Sequence, residues 1–190
     1  MLVIGDTHIP DRAYRIPEQL KNLIEFQKPW DYVAFVGDLT GHEVLSWVKS
    51  LGKRVYIVRG NMDYLPLPRT AVFEVEGLKF GVYHGDGVYP RGDVVKLSKI
   101  AQSLDVRVLL TGHTHADFIK LSHDSTRLLV NPGSLTGVWG GEGGSYVPSL
   151  IAITAEPHTL VLRVYRLENR LVEKEVVVEV RGSTFNLASI

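Results

Sequence analysis

Five short apolar runs in this chain each break off into a glycine-containing segment that carries aspartate, asparagine or histidine. Leu2–Ile4 leads into Gly5-Asp6-Thr7-His8, and Tyr32–Val36 into Gly37-Asp38. Arg54–Val58 runs through Arg59 to Gly60-Asn61, Lys79–Tyr83 ends in His84-Gly85-Asp86, and Val106–Leu110 passes Thr111 into Gly112-His113-Thr114-His115. Apolar runs of this length predict strands, and the strand ends of an open α/β sheet converge on one rim, where such folds place their ligands. The pattern therefore predicts that five separate segments deliver polar groups to a common edge.

Between these runs lie amphipathic segments. Pro17 to Lys28 is predicted helical, with Pro17 in its first turn and Leu20, Leu23, Ile24 and Gln27 on one side. His42 to Ser50 and Asp93 to Ser103 are predicted as further helices. Ala71–Val75 and Lys79–Tyr83 flank Glu76-Gly77 and read as a hairpin. Strands are predicted thereafter at Phe118–Leu121, Leu128–Val130, Leu150–Thr154, Leu160–Leu167 and Leu171–Val180, the last two closing the chain as a hairpin through Glu168 and Asn169. The weak patterning of residues 181–190 predicts a poorly ordered tail. At 190 residues the chain suits one well-packed core, so residues 1–190 are expected to form a single domain.

The chain has no cysteine, which removes disulfides, thiolate metal sites and cysteine nucleophiles; a bound metal would take oxygen and imidazole donors. A lone Gly-Asp after a strand is ordinarily a turn. Here, however, four of the seven histidines, His8, His84, His113 and His115, fall at strand ends. Asp6 and His8 are expected to share an ion through a sharp turn of the chain between them. The preceding glycines permit such turns and close backbone approach. If the chain also turns at His113-Thr114-His115, those two imidazoles can serve neighbouring ions.

His42 is expected to be an exposed helix-start residue, His123 and His158 to be solvated, and Trp30, Trp47 and Trp139 to be packing residues. Gly137–Tyr146, with five glycines, reads either as a flexible connection or as a loop beside the site. Lys+Arg and Asp+Glu both number 21, which makes nucleic acid an unfavoured partner. No run approaches the roughly 20 apolar residues that span a bilayer. The opening strand-like residues do not resemble a signal peptide, so a cytoplasmic protein with no membrane partner is expected.

In order, Asp-x-His, Gly-Asp, Gly-Asn, His-Gly and Gly-His-x-His resemble the motifs of the calcineurin-like metallophosphoesterase superfamily. Within it the chain looks like the small archaeal and bacterial manganese-dependent phosphodiesterases. It is also similar to the phosphoesterase-fold subunit of the retromer coat through Ile9-Pro10-Asp11-Arg12, Val88-Tyr89-Pro90-Arg91-Gly92-Asp93 and Asn131-Pro132-Gly133-Ser134 with Thr136-Gly137. The resemblance implies a four-layer αββα sandwich of two mixed β-sheets flanked by helices. It further implies two divalent ions, the first on Asp6, His8 and His115, the second on Asn61, His84 and His113, with Asp38 bridging. Such donors suit manganese, iron, zinc or nickel, with availability rather than raw affinity selecting among them, and the resemblance points to Mn²⁺ first, with Zn²⁺, Ni²⁺ and Fe²⁺ as alternatives.

The implied activity is hydrolysis of a small phosphodiester, in preference to a monoester, by a metal-activated water, with Asp38, Asn61, His84 and Asp86 at the reacting centre. The retromer likeness leaves open an alternative, a protein-interaction scaffold on the same fold, and with it a protein partner or homo-oligomer. Two positions depart from the superfamily pattern. Met62 stands where many members carry a histidine that protonates the leaving group, and Asp86 where close relatives read histidine. Asp86 reads as a neutral replacement, as a partner that orients His84 through its other ring nitrogen, or as a substitute proton donor, the second being favoured, and Asp63 is expected to fix its loop as an acceptor.

Overall fold

The computed structural model describes residues 1–188. Twelve strands and three helices follow in the order β1 (Leu2–Ile4), α1 (Glu18–Phe26), β2 (Trp30–Phe35), α2 (His42–Lys49), β3 (Gly52–Ile57), β4 (Thr70–Val75), β5 (Leu78–Tyr83), α3 (Val94–Ser103), β6 (Val108–Leu110), β7 (Phe118–Leu121), β8 (Leu128–Asn131), β9 (Ser149–Glu156), β10 (Thr159–Leu167), β11 (Leu171–Arg181) and β12 (Thr184–Ala188). They form a seven-stranded sheet, β12-β11-β10-β9-β1-β2-β3, and a five-stranded sheet, β4-β5-β6-β8-β7. Both sheets are mixed. β1, β2 and β3 run parallel, as do β5, β6 and β8, while β9 joins β1 antiparallel and β10 to β12 continue as a meander.

Strand alternation explains why the sheets pack into layers. Val3 of β1 enters the core between the sheets, whereas Leu2 and Ile4 face the layer that holds Leu20 and Ile24 of α1 and Val44 and Val48 of α2. In β6, Val108 and Leu110 face the intersheet core and Leu109 packs with Leu97 and Ala101 of α3. A strand buried on both faces reads as continuous hydrophobic sequence, which is why β1 and β6 look alike in the chain. The result is the expected αββα order.

Element edges shift in physically intelligible ways. α1 is shorter than the pattern predicts, ending at Phe26, and α3 starts one residue late because Asp93 is its N-cap, its carboxylate accepting from Lys96 N at 2.8 Å. The expectation of a poorly ordered tail over 181–190 needs correction: Thr184–Ala188 pairs antiparallel with Val177–Arg181, and Phe185 is buried in the intersheet core. One anchored aromatic outweighs weak local patterning. The β10–β11 hairpin is thus not the last element, and residues 189 and 190 lie outside the described part of the chain.

Candidate metal centre

The ends of β1, β2, β3, β5 and β6 meet at one rim, and the polar segments that follow them converge there. Asp6, His8, Asp38, His84 and His115 are buried together, while His113 is half-buried and Asn61 is exposed at the mouth. His8 Nε2 lies 3.1 Å from His115 Nε2, and His115 Nε2 lies 3.4 Å from Asp6 Oδ1. Asp38 Oδ2 sits 3.4 Å from both His8 Nε2 and His84 Nε2, and Asn61 Oδ1 is 3.2 Å from His84 Nε2. The His84 and His113 rings meet edge-on with centroids 5.1 Å apart. All seven predicted donors are therefore assembled, and Asp38 stands between the two halves.

The backbone makes this convergence possible in an unexpected way. Asp6, His8, Asp38, Thr40, His113 and His115 themselves adopt left-handed conformations, with φ from 47° to 69°. Each such residue costs about 1–3 kcal/mol unless its surroundings compensate, although Asp, Asn and His tolerate the conformation better than most. Thus Asp6 and His8 reach one point because the donors make the turns. Gly5 and Gly112 serve instead as points of close approach: a Cβ would lie 2.3 Å from Val36 Cγ2 at Gly5 and 2.7 Å from Asp6 Oδ2 at Gly112.

Each carboxylate has one oxygen occupied and the other aimed inward. Asp6 Oδ2 accepts from His113 N at 3.0 Å and Asp38 Oδ1 from Met62 N at 2.8 Å. Asp6 Oδ1 is buried and has no hydrogen-bond partner among the described residues. His84 Nδ1 donates to Val36 O and His115 Nδ1 to Val138 O, both at 2.8 Å, which turns each Nε2 towards the cluster. Donor separations of 3.1–3.4 Å match the spacing, about 3.3 Å, of ligands held 2.0–2.1 Å from a tetrahedral zinc. Two overlapping sets, Asp6-His8-His115 and Asp6-Asp38-His84, bring their donor atoms within 4.8 Å of one another. The unpartnered Asp6 oxygen and the oxygen and imidazole donors around it fit a divalent cation.

The electrostatics describe a site built for positive charge. Burial pushes the His8 imidazole down to about 4, against the pull of Asp38 and Asp6. Burial, reinforced by His84 and Arg91, also holds His113 at about 4. Burial opposes protonation of His84 as well, but the hydrogen bond to Asp38 and the charges of Asp6 and Asp38 outweigh it and raise this histidine to about 9. Burial likewise disfavours the charged form of Asp38, yet His84 and the Met62 amide hold its carboxyl at about 2. Without a metal, a proton on His84 balances the buried carboxylates. A metal ion held at His84 would have to displace it.

Several surrounding residues fix this arrangement. Asp63 accepts from the backbone N–H groups of Asp38, Thr40 and Gly60 at 2.8, 2.9 and 2.8 Å, tying two donor loops together as expected. Asp86 does not orient His84. The second ring nitrogen of His84 is already used by Val36 O, and Asp86 instead faces Arg69 at 3.4 Å. Sequence reasoning did not assign roles to Asn131 and Ser134: Asn131 Nδ2 donates to Gly112 O and Thr114 Oγ1, and Ser134 Oγ to Asp6 O at 2.7 Å. Their signal was the polar pair around Pro132-Gly133 directly after an apolar strand. His42, His123 and His158 are exposed and stand apart from the cluster.

Of the three tryptophans, Trp30 is in the core and Trp47 packs against it, but Trp139 is 58% exposed rather than a packing residue. It belongs to the glycine-rich loop, which lies beside His115, so the second of the two readings of that loop is the one the fold adopts.

Comparison with known proteins agrees with this geometry. Residues 1–151 match the model of the calcineurin-like phosphoesterase superfamily domain. The chain belongs to the calcineurin-like phosphoesterase superfamily. A probable metallophosphoesterase of Methanocaldococcus jannaschii is 47% identical over 134 residues, covering 70% of this chain and 67% of the relative. Another from Methanothermobacter thermautotrophicus is 38% identical over 165 residues, covering 85% and 84%. Among solved structures, Vps29 of Entamoeba histolytica complexed with Zn²⁺ superposes with a TM-score of 0.84 at 31% identity, over 93% of this chain and 97% of that one.

Proposed function

We propose that this chain is a binuclear metal-dependent phosphodiesterase. The observation that carries the reading is the position of Asp38 Oδ2, 3.4 Å from a histidine of each half, with its other oxygen held by the Met62 amide. Asp6, His8 and His115 would hold one ion, and Asn61, His84 and His113 the other, with Asp38 bridging. When bound, two divalent ions supply Lewis-acid polarisation of the phosphoryl oxygens and bring the pKa of a shared water towards neutrality. Mn²⁺ is the proposed native metal, with Zn²⁺, Ni²⁺ and Fe²⁺ as substitutes.

The chain's own residues orient this chemistry. The carbonyls of Val36 and Val138 fix the ring planes of His84 and His115, and the buried floor excludes bulk water on one side. Substrate would enter at the mouth, past Asn61 and His113. Met62 offers no proton to a leaving group, Asp63 is engaged by three amides, and Asp86 is turned to Arg69. Losing a general acid costs about 10²–10⁴ in rate, least for leaving groups that are weak bases. Aryl phosphodiesters should therefore be cleaved faster than alkyl ones.

The test is turnover of bis(p-nitrophenyl) phosphate by Mn²⁺-loaded protein, expected to exceed that of p-nitrophenyl phosphate and to vanish in Asp38→Asn. Absence of hydrolysis with manganese, nickel, zinc and iron would replace this reading with the scaffold one. Fewer than two ions at saturation would remove the bridged mechanism.

A further inference from the structure

The His115 ring is set by a loop, whereas the His84 ring is set by the carbonyl directly after a strand. The Val138 carbonyl that receives its Nδ1–H belongs to the glycine-rich segment 137–146, and that segment touches His115 at three further points. Ser145 donates to His115 O through both its backbone N–H, at 3.2 Å, and its hydroxyl, at 3.0 Å. The Gly140 backbone lies flat against the imidazole: a Cβ at Gly140 would fall 2.1 Å from His115 Cγ and 2.3 Å from Cδ2.

Two arginines from different loops grip the same strap at adjacent carbonyls. Arg12 Nη1 donates to Trp139 O at 2.9 Å, with its guanidinium 5.3 Å from the Trp139 ring centroid, and Arg91 Nη1 donates to Gly140 O. The Arg91 guanidinium also packs on Gly141, where a Cβ would meet its Nη1 at 2.7 Å. A glycine-rich segment loses much conformational entropy when ordered, so such clamps determine where it sits. The group of the strap that receives the ring's Nδ1–H is a backbone carbonyl, Val138 O.

We propose that Arg12, Arg91 and Gly140 are positioning residues that hold segment 137–146 against His115, and so set the ion site made by Asp6, His8 and His115 without touching the ion. This rests on the proposed ligand role of His115. Partners that orient a metal-bound histidine are typically worth about 10–100-fold in metal affinity. Gly140 has ordinary negative φ, so Gly140→Ala acts only through its clash with the ring. Gly144 is the matched control: it also lacks positive φ, and a Cβ there meets nothing closer than 3.6 Å.

The experiment is Zn²⁺ titration calorimetry of the full chain, with ¹H–¹⁵N spectra of the histidine rings. Gly140→Ala and Arg91→Ala are expected to weaken one of two Zn²⁺ binding events about 10–100-fold and to lose the protected His115 Nδ1–H signal. Arg91→Lys, which keeps a donor for Gly140 O, should recover part of both, Arg12→Ala should weaken that event less, and Gly144→Ala should match wild type. Two ions bound with wild-type affinity and an unchanged His115 signal in both main variants would overturn the proposal. If Gly140→Ala melts too low to titrate, Arg91→Ala decides alone. If wild type binds fewer than two ions, the two-ion reading fails, and the His115 ring signal of the metal-free variants still decides the role of the strap.

Discussion

The two halves of the donor cluster are built to different standards. Around His84 the partners are strand-end backbone: its Nδ1 meets the Val36 carbonyl beyond β2, and Thr111 at the end of β6 bonds the His84 carbonyl. Around His115 the corresponding carbonyl comes from a loop with five glycines, pinned by long arginine side chains. The first half inherits the stiffness of two packed sheets. The second rests on a loop held by side-chain hydrogen bonds, the kind of region that opens at lower free energy than core strands. The contrast teaches that two imidazoles of one cluster can be held with different firmness.

Asp38 belongs to both halves, so its loss offers the widest test. Asp38→Ala should abolish phosphodiester turnover and weaken both ions; calorimetry showing one event intact would assign Asp38 to a single half. Next comes Asp63→Ala, which strands three buried N–H groups at about 1–3 kcal/mol each. A loss of several kcal/mol in urea unfolding is expected, and a change under 1 kcal/mol would mean that water replaces the carboxylate.

Chelation should separate the halves directly. On treatment with EDTA, amide exchange should accelerate in segment 137–146 and stay slow for residues 82–85. Uniform acceleration would erase the distinction. The smallest effect is expected for Ser134→Ala, which removes one hydrogen bond to the Asp6 carbonyl and should lower stability by about 1 kcal/mol, read as a modest drop in melting temperature.

What was legible in the chain follows the same division. Strands buried on both faces announce themselves as short apolar runs, and Asp6, His8, Asp38, Asn61, His84, His113 and His115 could be singled out because each lies in the short polar segment that follows one. The hairpin of β4 and β5 was equally readable from Glu76-Gly77. Three features depend on contacts distant in sequence and were not readable. β12 pairs with β11 while Phe185 is buried in the intersheet core, the His84 ring is set by a carbonyl 48 residues away, and Trp139 lies exposed beside the Arg12 guanidinium. Nor does sequence state that Asp6, His8, Asp38, His113 and His115 themselves take left-handed turns, since Asp and His tolerate both conformations.

Those left-handed turns carry a consequence for how such a chain can change over generations. The few residue types that rest comfortably at φ near +50° are much the same types that can hold a metal ion. A mutation to valine or leucine at Asp6, His8, His113 or His115 would therefore remove a donor and strain the main chain in one event. Descendants that abandon the chemistry should drift towards asparagine or glycine at these positions, leaving the bends of the rim behind after the reaction is gone.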